Sequence, residues 1–193
     1  MSSQHFSPDV SANRKAIKWS KKELFGRLMW DILQYPLFAW TPRQIWIIRR
    51  LVLRAFGATI GKGVHLYPSV RIAVPWNLAV GERAAIGDHA ILYSLGKIWI
   101  GDYATVSQYA HICAGSHDYS NIEMPLVKSE IRIGEGSWVC ADAFIGPGAS
   151  VGAGSIVGAR SVVTNDVPEM MVIVGNPAQV LKQRPAKGGS ASS

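Results

Sequence analysis

Along the second half of the chain an aliphatic residue returns every sixth position, at Ile133, Val139, Ile145, Val151, Val157 and Val163. Glycine follows many of them, as in "IGPGASVGAGSIVG", and almost no charge lies between. Six residues is neither a helix period nor a strand alternation. It suits a repeat whose unit is one short strand and one corner. The same phase runs earlier, at Ile60, Leu66 and Ile72, then Val80, Ile86 and Leu92, then Ile100, Val106 and Ile112. Successive trios start 20 residues apart before a break at 117–131 and 18 apart after it. Three hexads per unit predict a triangular coil with its aliphatic residues pointing inward. Small residues behind them, at Gly134, Gly146, Gly152 and Gly158, let the backbone turn without a clash. With levels ~4.8 Å apart, about five coils make a prism roughly 20–25 Å tall, in which no level is stable alone.

Residues 1–57 lack this pattern. "ELFGRLMWDILQYPLFAW" and "PRQIWIIRRLVLRAFG" predict helices, interrupted at Pro36 and Pro42. The expected organisation is therefore a helical segment at 1–57, a β-solenoid at 58–181 with one long loop at 117–131, and a polar, flexible tail at 182–193. A hydrophobic content of 48% in 193 residues supports one well-buried core. Charge changes the picture only when divided along the chain. Residues 1–57 hold ten Lys/Arg against three Asp/Glu, and residues 58–193 ten of each, so the net +7 belongs entirely to the N-terminal segment. That segment also carries Trp19, Trp30, Trp40 and Trp46, four of the seven tryptophans. No nucleic-acid motif accompanies the charge, so no nucleic-acid partner is expected. The helices either pack on the main domain or lie on an anionic membrane surface, two roles that are compatible. The N-terminus lacks the apolar core of a signal peptide, which points to a cytoplasmic protein, with peripheral contact at the inner membrane as an option. Cys113 and Cys140 have no CxxC spacing, so neither a disulfide framework nor a zinc knuckle is expected.

The hexads "VGAGSI" and "IGPGAS" resemble those of the hexapeptide-repeat acyltransferases over roughly residues 58–180. The resemblance implies a left-handed parallel β-helix, a hand that spacing alone does not give. "AGSHDYSN", followed by "IRIGEGSWVCADAFIGPGASVGAGSIVGARSVVTNDVP" and "VGNPAQVLKQR", is similar to the branch that acetylates sugars. Within it the chain resembles the colanic-acid and exopolysaccharide acetyltransferases, with maltose and galactoside acetyltransferases more distant kin.

Acetyl transfer to a hydroxyl needs a base for the O–H, a thioester in line and donors for the developing oxyanion. His117 stands where the hexads stop, so its ring can project over a face of the solenoid. An imidazole is suited to proton removal near neutral pH. The resemblance places the family's catalytic histidine here and implies direct attack by the hydroxyl without an acyl-enzyme. Asp118 either contacts a sugar hydroxyl or a neighbouring imidazole, or caps the turn in "SHDYSN". Trp138 matches a position that lines the acyl and pantetheine channel in sugar acetyltransferases, with wedge packing as the alternative.

The resemblance further implies acetyl-CoA as co-substrate and no metal. Its pantetheine arm would run along backbone amides at Ala141, Ala159 and Thr164, where small side chains leave room. Asn165 replaces the lysine expected after that threonine, so one phosphate contact is missing; Arg160, Lys182 and Arg184 are candidate substitutes, or plain surface charge. A closed homotrimer is implied, with sites between neighbouring chains and His89 and His111 facing the interface. Two rival readings use other features. Three histidines, His89, His111 and His117, would suit a γ-carbonic-anhydrase-like metal site between chains. A non-enzymatic solenoid scaffold would leave the histidine-bearing excursion without a role.

Overall fold

The computed structural model describes residues 9–185. The hexads form three parallel sheets wrapped into a triangular coil. The first face stacks the strands around residues 59–60, 78–80, 98–100, 131–133 and 150–151; the second stacks 65–66, 85–86, 105–106, 138–139, 156–157 and 171–174; the third stacks 71–72, 91–93, 111–113, 144–145 and 162–163. Five complete coils result, and Val167 and Met171–Val174 begin a sixth, one partial turn more than the hexads predict. Register between coils keeps the sequence spacing, with Ala79 pairing Trp99 and Arg132 pairing Ser150.

Every aliphatic hexad position from Ile60 to Val163 is buried. A second interior position, two residues earlier, is filled by small side chains on most strands of the second and third faces, as at Ala84, Ala90, Ala104, Ala110 and Ala143, and by the larger Leu78, Ile98 and Ile131 on the first face. Where serine takes that place its hydroxyl is used: Ser155 Oγ donates to the Pro168 carbonyl at 2.6 Å and accepts from Met171 N at 3.0 Å. The edge after the first face carries a column of glycines, Gly61, Gly81, Gly101, Gly134 and Gly152, all at negative φ. Close approach is what selects glycine there, since a Cβ on Gly134 would lie 2.5 Å from Ala153 N in the coil above.

The N-terminal segment folds as α1 (Val10–Lys15), α2 (Lys21–Gln34), a π-turn at Tyr35–Ala39 and α3 (Trp46–Ala55). Ser20 and Glu23 form a reciprocal capping box that starts α2. Trp30 is buried edge-on to Phe38 and Phe56. The segment has a specific task at the end of the coil. Along the strands of the solenoid N–H groups donate to carbonyls of the next coil, as Gly61 N does to Val80 O. The strand carbonyls of the first coil therefore have no coil below to serve them. Side chains supply the donors instead: Arg54 to Ile60 O, Arg50 to Val64 O, Arg49 to Leu66 O and Trp30 Nε1 to Ile72 O. Part of the N-terminal basic excess is thus spent on backbone.

Arg49 is fully buried and also donates to Thr41 Oγ1 and the carbonyls of Pro42 and Arg43. Burial pulls its pKa down, with no carboxylate among its bonded partners to offset that. Arg49→Leu would leave these acceptors buried and unpaired. We expect a loss of about 3 kcal/mol in urea unfolding.

One expectation gains detail and one needs correction. The long loop at 117–131 contains a short hairpin, in which Ser116–His117 pairs antiparallel with Leu126–Val127, because the run of Asx turns at its tip folds the chain back. The tail does not begin at 182, because Gln179–Gln183 forms a strand antiparallel to Met171–Val174. Arg184 then ties down to the carbonyls of Gly136 and Gly154. Residues 1–8 of the predicted helical segment and 186–193 of the predicted tail lie outside the described residues.

Candidate active site

The hairpin leaves the prism at the edge between the third and first faces. His117 is exposed on it, and its Nδ1 lies 2.6 Å from the Met124 carbonyl oxygen. A carbonyl only accepts, so Nδ1 carries the proton and donates. In the neutral ring that leaves Nε2 with its lone pair, the form a base needs. The tip is built to present that carbonyl. Asp118 Oδ1 accepts from Ser120 N at 3.0 Å and Ser120 Oγ at 2.6 Å, and Asn121 Oδ1 accepts from Glu123 N at 2.9 Å. The Ser120 hydroxyl and N–H hold the Asp118 carboxyl below the ordinary carboxylate range. Of the two roles open to Asp118, turn capping is the one these bonds perform.

Trp138 stands outward on the second face between Thr105 and Ile156, half exposed, with Nε1 donating to Ser107 Oγ at 2.8 Å. Ala141, Ala159 and Arg160 share the edge between the second and third faces, where Arg160 N donates to Ala141 O at 3.0 Å. The Arg160 side chain is paired with Asp142 at 3.1 Å on the surface. Thr164 and Asn165 lie at the hairpin's own edge, two coils further on. Lys182 is exposed on the last strand. One chain thus divides the expected residues between two edges of the prism, with His117, Thr164 and Asn165 on one, and Ala141, Ala159 and Arg160 on another beside the Trp138 face.

The other three histidines among the described residues are occupied separately. His89 stacks on Tyr109 at 5.0 Å between ring centroids, and His65 on Trp46 at 4.7 Å. His111 meets Tyr93 and Phe144 edge-on, its Nε2 buried without a partner, and burial lowers its pKa. Among the described residues no group of three or more His, Cys, Asp or Glu side chains converges on one point. Burial pushes the Cys140 thiol up, away from the thiolate a nucleophile requires. Sequence reasoning missed the Met124 carbonyl and Ser107. A backbone oxygen has no letter of its own, and one serine on a solenoid face looks like any other.

The coil and its repeat define a class, the hexapeptide-repeat transferases. The model of that family, bacterial transferase hexapeptide (six repeats), matches residues 130–165. A protein of Escherichia coli named as a colanic acid biosynthesis acetyltransferase, WcaF, is 42% identical over 156 residues, covering 81% of this chain and 86% of its own. The solved maltose O-acetyltransferase of Clostridium difficile superposes with a TM-score of 0.74 at 26% identity, covering 86% of this chain and 90% of its own. A galactoside acetyltransferase solved in complex with coenzyme A superposes with a TM-score of 0.80 at 22% identity, covering 91% and 89%. A left-handed β-helix is consistent with these likenesses. The chain belongs to the hexapeptide-repeat acyltransferase family, and it is an acyltransferase.

Proposed function

We propose that the protein is an acetyl-CoA-dependent O-acetyltransferase acting on a sugar hydroxyl in the assembly of an exopolysaccharide or other surface glycan. The observation that carries this reading is the hairpin imidazole with Nδ1 committed to a carbonyl and Nε2 free. The acceptor hydroxyl gives its proton to Nε2 as its oxygen attacks the thioester carbonyl. The tetrahedral intermediate expels the CoA sulfur, which recovers the proton from the imidazolium, leaving an acetyl ester and free CoA thiol. A half-buried Cys140 whose thiol is pushed up by desolvation supports direct transfer over an acyl-enzyme. The names of the relatives support the donor and the glycan setting.

The division of the site between two edges supports a closed homotrimer, in which the hairpin of one copy reaches the Trp138 face of its neighbour. Trp138 would cover the thioester. Backbone at Ala141, Ala159 and Thr164 would take the pantetheine arm, and Arg160, Lys182 and Asn165 would lie toward the nucleotide phosphates. Arg184 is engaged with coil carbonyls and is the weaker candidate. The test is release of CoA thiol from acetyl-CoA in the presence of nucleotide-linked and lipid-linked sugars. Absence of acceptor-dependent release across that panel would reject the reading.

A peripheral place on the cytoplasmic face of the inner membrane is part of the same proposal. No helix among the described residues is long and apolar enough to cross a membrane. After Trp30 and Leu53 are buried, α2 and the turn that follows it still expose Leu24, Phe25, Leu28, Ile32, Leu37 and Trp40. Lys21 and Lys22 open the same helix. A stripe of this kind suits the interface of an anionic bilayer. Replacing Leu24, Leu28 and Ile32 together by Ser should weaken binding to anionic vesicles more than tenfold, since each buried side chain contributes about 1.5 kcal/mol or more. Equal cosedimentation of the two proteins would end the membrane proposal.

A further inference from the structure

The hairpin that carries His117 is held from outside by the N-terminal arm, across more than a hundred residues of sequence. Asn13, in α1, donates from Nδ2 to the Glu123 carbonyl at 2.9 Å and also to the Met124 carbonyl. The second of these oxygens is the one that accepts from His117 Nδ1. Two further contacts fasten the arm on either side: Asp9 N donates to Ile122 O at 2.8 Å, and Lys128 Nζ donates to Lys18 O at 2.9 Å while lying 3.5 Å from the Trp19 ring centroid. Lys18 Nζ in turn donates to Asn13 Oδ1 at 2.5 Å, which fixes which end of the amide faces the hairpin.

We propose that Asn13 is a positioning residue for the catalytic imidazole. This rests on the reading of His117 as the base. A carbonyl oxygen has two lone pairs. At Met124 one receives the imidazole and the other receives Asn13, so the amide locks the orientation of the peptide that sets the histidine tautomer. Met124 itself has φ +45°, a left-handed conformation that a methionine adopts at a cost. Without the outside donor, the cheaper response is for that peptide to rotate and for the proton to move to Nε2. The ring would then present an N–H where the acceptor hydroxyl needs a lone pair. Asn13 touches no reacting atom, and its effect passes through one oxygen.

The test uses the full-length protein in two variants. In the wild type, long-range nitrogen–proton NMR correlations of the His117 ring should report a proton on Nδ1 near neutral pH. In Asn13→Ala the ring should move toward the Nε2–H tautomer, with kcat for acetyl transfer falling about tenfold, well inside the loss that a 1 Å misplacement can cause. KM for acetyl-CoA should be unchanged. Asn13→Asp places a carboxylate against two carbonyls and should do more damage than alanine at the same site. An Asn13→Ala protein with unchanged tautomer and unchanged kcat overturns the proposal. So does one whose only change is a lower melting temperature. The NMR readout needs no substrate. A tautomer shift in a protein that transfers no acetyl group would therefore uphold the role of Asn13 while removing the acetyltransferase reading.

Discussion

His117→Ala should lower acetyl transfer by about a thousandfold while leaving CoA affinity within a factor of two or so. General-base help of this kind contributes roughly 10²–10⁴-fold. The side chain is exposed, and its one bond among the described residues is the contact from Nδ1 to Met124 O. Removing it therefore disturbs neither the buried coil nor the second face, and unfolding should be nearly unchanged. The comparison that decides is kcat by thiol release against Kd for CoA by calorimetry, made on the same preparation. His117→Gln sharpens it. An amide can keep a hydrogen bond in the hairpin but cannot take a proton at neutral pH, so it should be as inactive as alanine. Near-normal turnover in either variant removes His117 from the base role.

Gly134→Ala should have the largest effect on stability, about 4 kcal/mol, which is exceptional for adding one methyl group. The new Cβ would come within 2.5 Å of Ala153 N and 2.7 Å of Gly152 C, both backbone atoms of the coil above. No side chain is available to swing away. Relief requires the coils to separate, which breaks Gly134 N to Val151 O at 2.7 Å and strains its neighbours. Gly136→Ala is the control on the same coil. Its Cβ meets nothing within 4 Å, but its φ of +60° is unfavourable for alanine. That should cost only about 1 kcal/mol. Urea unfolding at one protein concentration measures both. Equal losses at the two sites would mean that coil spacing is not what selects glycine at 134.

The hexad was legible because each aliphatic position faces the same interior. A spacing of six therefore carried the coil and its phase from Ile60 to Val163 without any partner residue having to be guessed, but not the partial sixth coil beyond it. The small interior position two residues earlier was harder to see. Alanine and serine also populate turns, and only stacking shows that Ala84, Ala104 and Ser137 are buried. The left-handed corner residues were not legible at all. Arg83 and Tyr103 stand at a corner that Gly63 and Gly136 occupy in other coils, and His89, Tyr109, Asp142 and Arg160 at the corner after the second face; all six have φ between +53° and +60°. A sequence does not say where a repeat tolerates that strain.

For the candidate site, "AGSHDYSN" pointed to His117 because it interrupts the hexads and, chiefly, because it matches the catalytic position of the family it resembles. The hairpin, the acceptor on Nδ1 and the arm that holds it depend on contacts between residues 9–18 and 117–128, for which no local pattern exists. Charge was an ambiguous signal. The excess at 1–57 fitted both packing on the main domain and an anionic surface, and three of its ten basic residues, Arg49, Arg50 and Arg54, turn inward to carbonyl oxygens.

Those arginines have a consequence for self-association. A stack of parallel strands has two raw ends, each able to template another stack, and repetition of that step would yield filaments. Here the lower end is stopped by a comb of guanidinium groups and the upper end by a strand running the opposite way, which offers no parallel register to a newcomer. Trimming the protein to its hexads for convenience would reopen the lower terminus, and the fragment should aggregate end to end.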